Sequence, residues 1–230
     1  MFRRGASYYT IKLLSPVWVR EFHKVWYLSG VWQSQIKWLG VSVLENPMDM
    51  WVLQEIIYET KPDFIIETGT NAGGSALFFA SVLDLLGNNG KVITIDIDDK
   101  CEINHPRVTK IIGSSTSEET LKRIGQLVRG QRCMVFLDSA HFKEHVLKEM
   151  ESYKAFVARG CYMVVADTNI NGHPVLPGYS ETSGGKIYRG GPMEAVREFL
   201  TRNSDFVPDK SREKMLFTLF PDGFLFHKPA

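Results

Sequence analysis

Cysteine is scarce in this sequence of 230 residues. Only Cys101, Cys133 and Cys161 are present, and they are widely separated along the chain. An odd number of distant cysteines argues against a disulfide framework and against a structural zinc site. We therefore expect all three to be reduced thiols in the protein core.

Long apolar runs and an excess of one charge are also missing. No run reaches the roughly 18 apolar residues that span a bilayer, and the start, Met-Phe-Arg-Arg, is not followed by a secretory apolar segment. We expect a cytoplasmic protein without a transmembrane segment. The 27 basic and 26 acidic residues are scattered, with a net charge of +1. This balance argues against a nucleic-acid partner.

What the sequence does contain is a glycine-rich stretch at residues 63–75, DFIIETGTNAGGS. Residues 64–66 are typical of a buried parallel strand, and residues 75–86 form an apolar helical run. In open α/β sheets, such a strand, turn and helix bind a nucleotide cofactor. The expected cofactor contacts in the turn are Gly69, Thr70, Asn71, Gly73 and Ser75.

The acidic residue Glu67 ends the strand and narrows the choice of cofactor. A pyrophosphate would be repelled by this carboxylate, whereas the ammonium and sulfonium groups of S-adenosylmethionine (SAM) would be attracted to it. The spacing of Gly69, Gly73 and Gly74 also differs from the Gly-x-Gly-x-x-Gly dinucleotide fingerprint. Both features favour SAM over NAD; the alternative is an ordinary strand-to-helix turn.

Further cofactor contacts are expected after the next two predicted strands, at residues 91–95 and 108–112. Asp96 ends the first, where such folds hydrogen-bond ribose hydroxyls. Ser114 follows the second, near the expected adenine edge, although this segment could simply begin the next helix. We predict that both residues bind SAM.

The remaining pattern predicts an α/β fold with a mostly parallel seven-stranded sheet and helices on both faces. The other predicted strands are residues 133–137, 160–166, 206–207 and 215–220, with a turn at 221–223. The other predicted helices are residues 47–59, 142–157 and 192–203. We expect residues 1–62 to form a helical extension packed on a SAM-binding core of residues 63–230.

The N-terminal segment, residues 1–46, is rich in aromatic side chains and includes an amphipathic run at residues 16–28. Such a segment packs over the core or a neighbouring subunit, or walls a substrate cleft. We favour packing over a cleft wall. If the segment packs on a neighbouring subunit, the protein forms a homo-oligomer through this region.

Polar residues that could perform chemistry follow two neighbouring predicted strands. Asp138 and His141 follow one, and Asp167 and Asn169 follow the next. The oxygens of Asp138, Asp167 and Asn169 could bind Mg²⁺, which would activate a substrate hydroxyl. His141 could accept its proton. The structural alternative is that these residues cap helices and loops.

A long glycine-containing segment, residues 168–191, lies between the fifth predicted strand and the following helix. Loops of this length in compact domains are usually functional or disordered. We interpret it as a substrate lid. His173, Lys186 and Arg189 in this segment could face the substrate or solvent.

Two other functions remain open from these residues. Asp138, His141 and His145 could bind Fe(II) in an oxygenase, because the histidines are four residues apart on one helical face. Alternatively, the chain could be a catalytically silent binding module.

Three segments resemble the cephalosporin hydroxylase/rhamnosyl O-methyltransferase family. They read IIETGTNAGGS at residues 65–75, LDSAH at 137–141 and DTNINGHPV at 167–175. The resemblance extends over about residues 22–223. It implies a Rossmann-like class I methyltransferase fold and Mg²⁺-assisted methylation of a hydroxyl on a sugar, such as a glycoside, or another natural product.

The same resemblance implies specific roles for site residues. Glu67, Gly69 and Asp96 would bind SAM, Asp138 and Asp167 would bind the metal, and His141 would act as base. We also predict that Asp138 contacts the cofactor. The family usually has Glu-Asp-Thr-Asn after the fifth strand, whereas this chain has Ala166 in the first position. Three alternatives follow: weak Mg²⁺ binding, recruitment of Asn169 or water, or loss of the metal.

Overall fold

The computed structural model describes residues 6–178, 180–183 and 185–229. The helices are α1 (Ala6–Leu28), α2 (Val31–Ser34), α3 (Pro47–Thr60), α4 (Gly74–Leu86), α5 (Glu118–Val128), α6 (Lys143–Tyr153) and α7 (Pro192–Arg202). The strands are β1 (Lys37–Trp38), β2 (Val41–Ser42), β3 (Phe64–Thr68), β4 (Lys91–Asp96), β5 (Val108–Ile112), β6 (Cys133–Leu137), β7 (Tyr162–Val165), β8 (Ser180–Ser183), β9 (Lys186–Arg189), β10 (Phe206–Pro208) and β11 (Phe224–His227).

Seven strands form the central sheet in the order β10-β11-β7-β6-β3-β4-β5. The strands from β3 to β7 are parallel, and β11 and β10 extend the sheet in antiparallel fashion. The chain builds β4 and β5 on one side of β3 and then crosses to β6 on the other. Ligands of open α/β sheets bind at such a switch point, outside the carboxyl ends of the strands.

The sheet is covered by apolar side chains on both faces. One core cluster includes Leu53, Phe79 and Phe136, and the other includes Ile66, Tyr153 and Phe199; all six are fully buried or nearly so. The three cysteines are free and buried, as predicted. The predicted α/β fold with its seven-stranded, mostly parallel sheet is confirmed.

Helix α3 shows why the N-terminal part joins the core. Asn46 caps it by accepting a hydrogen bond from the Met48 amide at 3.1 Å, and Pro47 occupies the first helical position. Leu53, Ile56 and Ile57 are buried. Trp51 is 60% exposed, and its indole donates to Glu55 on the helix surface at 3.2 Å.

The first helix begins well before the predicted amphipathic run and continues through Pro16. Its His23 and Trp26 rings pack against Phe217, with centroids 4.7 and 5.0 Å away. These contacts join the N-terminal helix to the segment after β10. The division into residues 1–62 and 63–230 stays a prediction.

The final antiparallel pair differs from the prediction. Strand β10 pairs with β11, and residues 215–220 are irregular. Backbone amides in this segment bond to side chains instead of a neighbouring strand: Leu219 donates to Asp49 at 2.7 Å and Phe220 to Thr218 at 2.9 Å. Residues 217–220 are buried without forming a strand, and Met215 and Leu216 are exposed. The predicted turn at residues 221–223 is present.

The segment predicted as a lid contains the antiparallel hairpin β8-β9, which the sequence reading missed. His173 anchors the segment's start to α7, with its Nε2 2.9 Å from Glu194 Oε1. Lys186 and Arg189 are exposed on β9. Among the described residues, no helix is long and apolar enough to cross a bilayer.

Candidate active site

Two adjoining cavities lie at the carboxyl ends of the parallel strands. The first has a volume of about 340 Å³ and the second about 270 Å³. Gly69, Asp96 and Ser139 line both. The two cavities therefore meet at the turn after β3, where the sequence predicts a cofactor.

Gly69 is required at this meeting point by its surroundings. Its φ of 88° lies in the left-handed region, and an added Cβ would be 1.8 Å from the carbonyl oxygen of Asp138. The Gly69 amide donates to the Ile95 carbonyl at 2.8 Å. The turn is thus held against both β4 and the end of β6, and a side chain at position 69 would force them apart.

Asp96 fixes the same turn from the end of β4. Its Oδ2 accepts hydrogen bonds from the amides of Thr70 at 3.0 Å and Asn71 at 2.9 Å. Its Oδ1 accepts from the Asp98 amide at 3.1 Å. Both predicted turn residues and the predicted ribose ligand therefore lie together, and Asp96 already orders the turn.

Glu67 is a fully buried carboxyl beneath this turn. Its Oε2 accepts from the Thr94 hydroxyl at 2.5 Å, and burial raises the pKa of Glu67 to about 7. No lysine or arginine among the described residues lines either cavity. A cationic ligand next to Glu67 would therefore favour its ionised form.

The other predicted cofactor residues divide between the two cavities and the protein interior. Ser75, in the first turn of α4, lines the first cavity, and Ser114 lines the second. Gly73 lines neither. A Cβ on Gly73 would meet the Cys101 sulfur at 2.5 Å, so this glycine permits close packing, and its contact with cofactor stays a prediction.

Asp138, His141 and Asp167 form a compact group in the first cavity. One potential ligand atom from each lies within 4.8 Å of the others, and His141 Nε2 is 3.5 Å from Asp167 Oδ2. Burial, together with the charge of Asp167, raises the pKa of Asp138 well above its usual range. Burial also raises the pKa of Asp167, whereas the nearby His141 lowers it. Two carboxylates in such a setting fit a hard divalent cation.

Asn169, the third predicted metal ligand, contacts the N-terminal helix through its amide nitrogen, and its buried Oδ1 has no hydrogen-bond partner among the described residues. Its side chain is fully buried, and its Nδ2 lies 2.9 Å from His23 Nε2 on α1. The neighbouring Ala166 is 2% exposed and packs in the apolar core. The structure thus groups Asp138 and Asp167 with His141, whereas Asn169 contacts α1; its role as a ligand stays a prediction.

The iron-binding alternative required His145 beside Asp138 and His141. Instead, His145 Nε2 lies 3.1 Å from the Ser139 hydroxyl and 3.4 Å from Glu149 Oε1. It lines the second cavity and is outside the metal-ligand group. The two histidines and the carboxylate of that hypothesis are therefore not brought together.

Several lining residues of the first cavity were missed by sequence reasoning. Tyr27, Trp32, Ser42 and Glu45 come from the N-terminal segment, and Leu176 comes from the predicted lid. The aromatic richness of residues 1–46 was the available signal. We favoured packing for this segment, but it both packs on the core and walls the cavity.

The sequence matches a family model described as "Rhamnosyl O-methyltransferase/CmcI" over residues 30–228. The chain belongs to this family. A curated relative, the rhamnosyl O-methyltransferase of Mycobacterium leprae (strain TN), is 37% identical over 218 residues, covering 90% of each chain. The rhamnosyl O-methyltransferase of Mycobacterium bovis (strain BCG / Pasteur 1173P2) is 36% identical over 213 residues, covering 89% of this chain and 83% of the relative.

Solved structures of the family share the fold. The structure described as "cmcI-D160 Mg-SAM" matches with a TM-score of 0.65 and 20% identity, covering 85% of this chain and 78% of that one. "CmcI-N160 apo-structure" matches with a TM-score of 0.63 and 21% identity, covering 86% and 78%. The family inferred from the sequence is confirmed, and with it the class of enzyme, a SAM-dependent O-methyltransferase.

Proposed function

We propose that this member of the family transfers the methyl group of SAM to a hydroxyl of a sugar carried by a small molecule. One observation carries the proposal: the SAM-type turn at Gly69 and the group formed by Asp138, His141 and Asp167 open into the same cavity. A cofactor at the turn would therefore present its methyl group close to residues that can bind and deprotonate a hydroxyl.

The two cavities suit the two halves of SAM. In this arrangement the adenosine half occupies the second cavity, with Ser114 near the base, and the methionine half occupies the first. Glu67 and the acidic wall of the first cavity favour the positive ammonium and sulfonium groups. Because Gly69 has no Cβ, the turn can lie close to the Asp138 carbonyl at the point where the two cavities meet.

The residues of the first cavity also fit a divalent cation. Asp138 and Asp167 would hold it, since both are partly buried carboxyls without a lysine or arginine on the described cavity wall. A bound Mg²⁺ would lower the pKa of a substrate hydroxyl and help to orient it.

The chain's own contribution to the reaction is positioning and proton removal. The acceptor hydroxyl oxygen forms a bond to the methyl carbon as the carbon–sulfur bond breaks, and the bonding pair leaves with sulfur as S-adenosylhomocysteine. His141 Nε2 accepts the hydroxyl proton, and Asp167, 3.5 Å away, stabilises the resulting imidazolium. Holding both reactants in line accounts for the remaining acceleration.

A sugar acceptor is supported by the wall of the first cavity and by the relatives. Tyr27 and Trp32 lie side by side there, with ring centroids 5.0 Å apart and an interplanar angle of 30°. Aromatic rings offer apolar faces to the C–H groups of a sugar, and the acidic residues accept bonds from its hydroxyls. The curated relatives are named for a rhamnosyl acceptor.

Methyl transfer to a panel of glycosides tests the proposal. Purified protein, methyl-labelled SAM and Mg²⁺ would be incubated with rhamnosides, other glycosides and the corresponding free aglycones. We expect label on a sugar hydroxyl and equimolar S-adenosylhomocysteine. Label confined to an aglycone would overturn the sugar assignment, and absence of SAM binding would overturn the enzyme assignment.

Other predictions about partners and location go beyond this site. Exposed apolar side chains on α1, such as Leu13, Trp18 and Val25, support a homo-oligomer formed through that helix. Light scattering of the purified protein would test it. The cytoplasmic location and the lack of a nucleic-acid partner stay predictions from composition.

A further inference from the structure

Glu45 is a buried carboxyl to which the proposed function gives no role. It belongs neither to the turn after β3 nor to the group formed by Asp138, His141 and Asp167. It lies between β2 and α3, is 4% exposed and lines the first cavity. Its Oε2 is inaccessible to solvent and has no hydrogen-bond partner among the described residues. Leaving a buried carboxylate oxygen without a partner is costly, so this arrangement suggests a missing ligand.

The backbone around Glu45 is held firmly. The Val43 amide donates to Ile36 at 2.9 Å, and Asn46 caps α3. On the other side, a Cβ on Gly74 would be only 2.1 Å from the Ser42 carbonyl, so the segment lies directly against the start of α4. Glu45 is therefore presented to the cavity by a rigid support.

Asp49, four residues further along, shows how a buried carboxyl in the same segment is normally satisfied. Its Oδ2 accepts from Asn46 Nδ2 at 3.2 Å and from the Leu219 amide at 2.7 Å. Those bonds join α3 to the segment before β11. Asp49 thus has a structural role within the protein, whereas Glu45 lacks such bonds.

The surroundings of Glu45 are acidic. Burial and the carboxyls of Asp138 and Asp167 raise its pKa well above the usual range, with smaller effects from Asp49 and Glu67. The acidic groups of the same cavity wall are Glu45, Asp96, Asp138 and Asp167, and the other titratable groups are His141 and Tyr27. A cation in the cavity would relieve the repulsion between these carboxylates.

We propose that Glu45 is an outer carboxylate of the cation site, accepting a hydrogen bond from a water molecule bound to the divalent cation that Asp138 and Asp167 hold. An outer position agrees with the geometry, because Glu45 lies outside the group of ligand atoms within 4.8 Å of one another. Mg²⁺ usually keeps several waters and binds only one or two carboxylates directly. This inference rests on the proposed cation site.

Titration of metal-free, full-length protein with Mn²⁺, followed by electron paramagnetic resonance, tests this role without SAM or acceptor. We expect Glu45→Gln to weaken Mn²⁺ binding by about 10- to 100-fold, as loss of an outer-shell partner does in other metal sites. Glu102→Gln, which removes an exposed carboxylate outside the cavity, is the matched control and should leave Mn²⁺ affinity unchanged.

Thermal unfolding separates this effect from misfolding. Metal-free Glu45→Gln should melt no lower than wild type, because the substitution removes a buried carboxyl with an unpartnered oxygen. Saturating Mg²⁺ should raise the melting temperature of wild type more than that of the variant.

These measurements distinguish an error in the role of Glu45 from an error in the cation site itself. If wild type does not bind Mn²⁺, the cation site itself is wrong and the inference falls with it. If wild type binds Mn²⁺ and folded Glu45→Gln binds it equally well, only the role of Glu45 is overturned. In that case, an increased KM for the acceptor would assign Glu45 to the substrate.

Discussion

The two cavities that meet at Gly69 differ in what their walls offer a ligand. The second is lined largely by small or apolar groups, including Ile95, Ile97 and Ser114. The first collects carboxyls, among them Glu45, Asp138 and Asp167, together with aromatic rings from the N-terminal segment. In the proposed arrangement, the second cavity holds only the adenosine half of SAM, whereas the first holds the reactive methionine half beside the groups that could bind a cation and accept a proton.

We therefore predict that substitutions in the group of Asp138, His141 and Asp167 affect cation binding and turnover, whereas substitutions of residues that line only the second cavity affect SAM affinity alone. The largest expected effect is that of His141→Gln. Loss of the proposed proton acceptor should lower kcat by about 10²- to 10⁴-fold, the usual contribution of a general base. SAM affinity, measured by calorimetry, should stay unchanged.

His105→Gln provides the control for His141→Gln. His105 pairs with Asp84 at 3.1 Å away from both cavities, so its loss should leave kcat unchanged. Wild-type turnover by His141→Gln would show that another group accepts the proton.

The next largest effect concerns the cation. Asp167→Asn removes one of the two carboxylates proposed as direct ligands and should weaken Mg²⁺ binding at least as much as the 10- to 100-fold typical of outer-shell partners. SAM affinity in Mg²⁺-free buffer should change little.

Asp98→Asn is the control for this prediction, because Asp98 is an exposed carboxylate paired with Lys100. Equal Mg²⁺ affinities for Asp167→Asn and Asp98→Asn would place the cation outside the first cavity.

A smaller effect, with a distinct pH dependence, is expected at Glu67 beneath the shared turn. Burial raises its pKa to about 7, so the protonated form prevails below that pH and the carboxylate above it. Because SAM is attracted by the carboxylate, wild-type affinity should rise with pH up to about 7 and then level off, by at most tenfold per pH unit.

Glu67→Gln should bind SAM about tenfold more weakly at pH 8, equivalent to about 1.4 kcal/mol, and should lack this rise. Calorimetric titrations between pH 6 and pH 8.5 would measure both features. The same rise in the variant would assign the titration to another group.

The smallest predicted effect belongs to the second cavity. Ser114→Ala removes one hydroxyl and should weaken SAM binding by a few fold, since a typical hydrogen bond contributes about 0.5 to 1.5 kcal/mol. Mn²⁺ affinity measured without SAM should be the same as in wild type. A change in Mn²⁺ affinity would contradict the claim that residues lining only the second cavity do not affect cation binding.

The grouping of acidic residues at one edge of the sheet could be predicted from the sequence, because the strand topology determines it. Glu67, Asp96, Asp138 and Asp167 each end or follow a parallel strand, and the ends of parallel strands meet at one edge. An apolar run followed by a polar residue was sufficient to place all four near the site. Their individual roles stay predictions.

The wall formed by the N-terminal segment could not be placed in the same way. Tyr27, Trp32 and Glu45 reach the first cavity through packing between elements far apart in sequence, such as His23 against Phe217. Local patterns do not encode these contacts. The same limitation applies to the contact between the buried Asn169 side chain and α1; the role of Asn169 as a metal ligand stays a prediction.

Calorimetric titration of the wild-type protein with SAM, in the presence and absence of Mg²⁺, would test both the cofactor assignment and the cation site. We expect stoichiometric SAM binding under both conditions, with a heat and an affinity that change when Mg²⁺ is bound in the first cavity. Failure to bind SAM under either condition would contradict the assignment of the two cavities to cofactor binding. SAM binding identical with and without Mg²⁺, with no Mg²⁺ binding in a separate titration, would contradict the cation site.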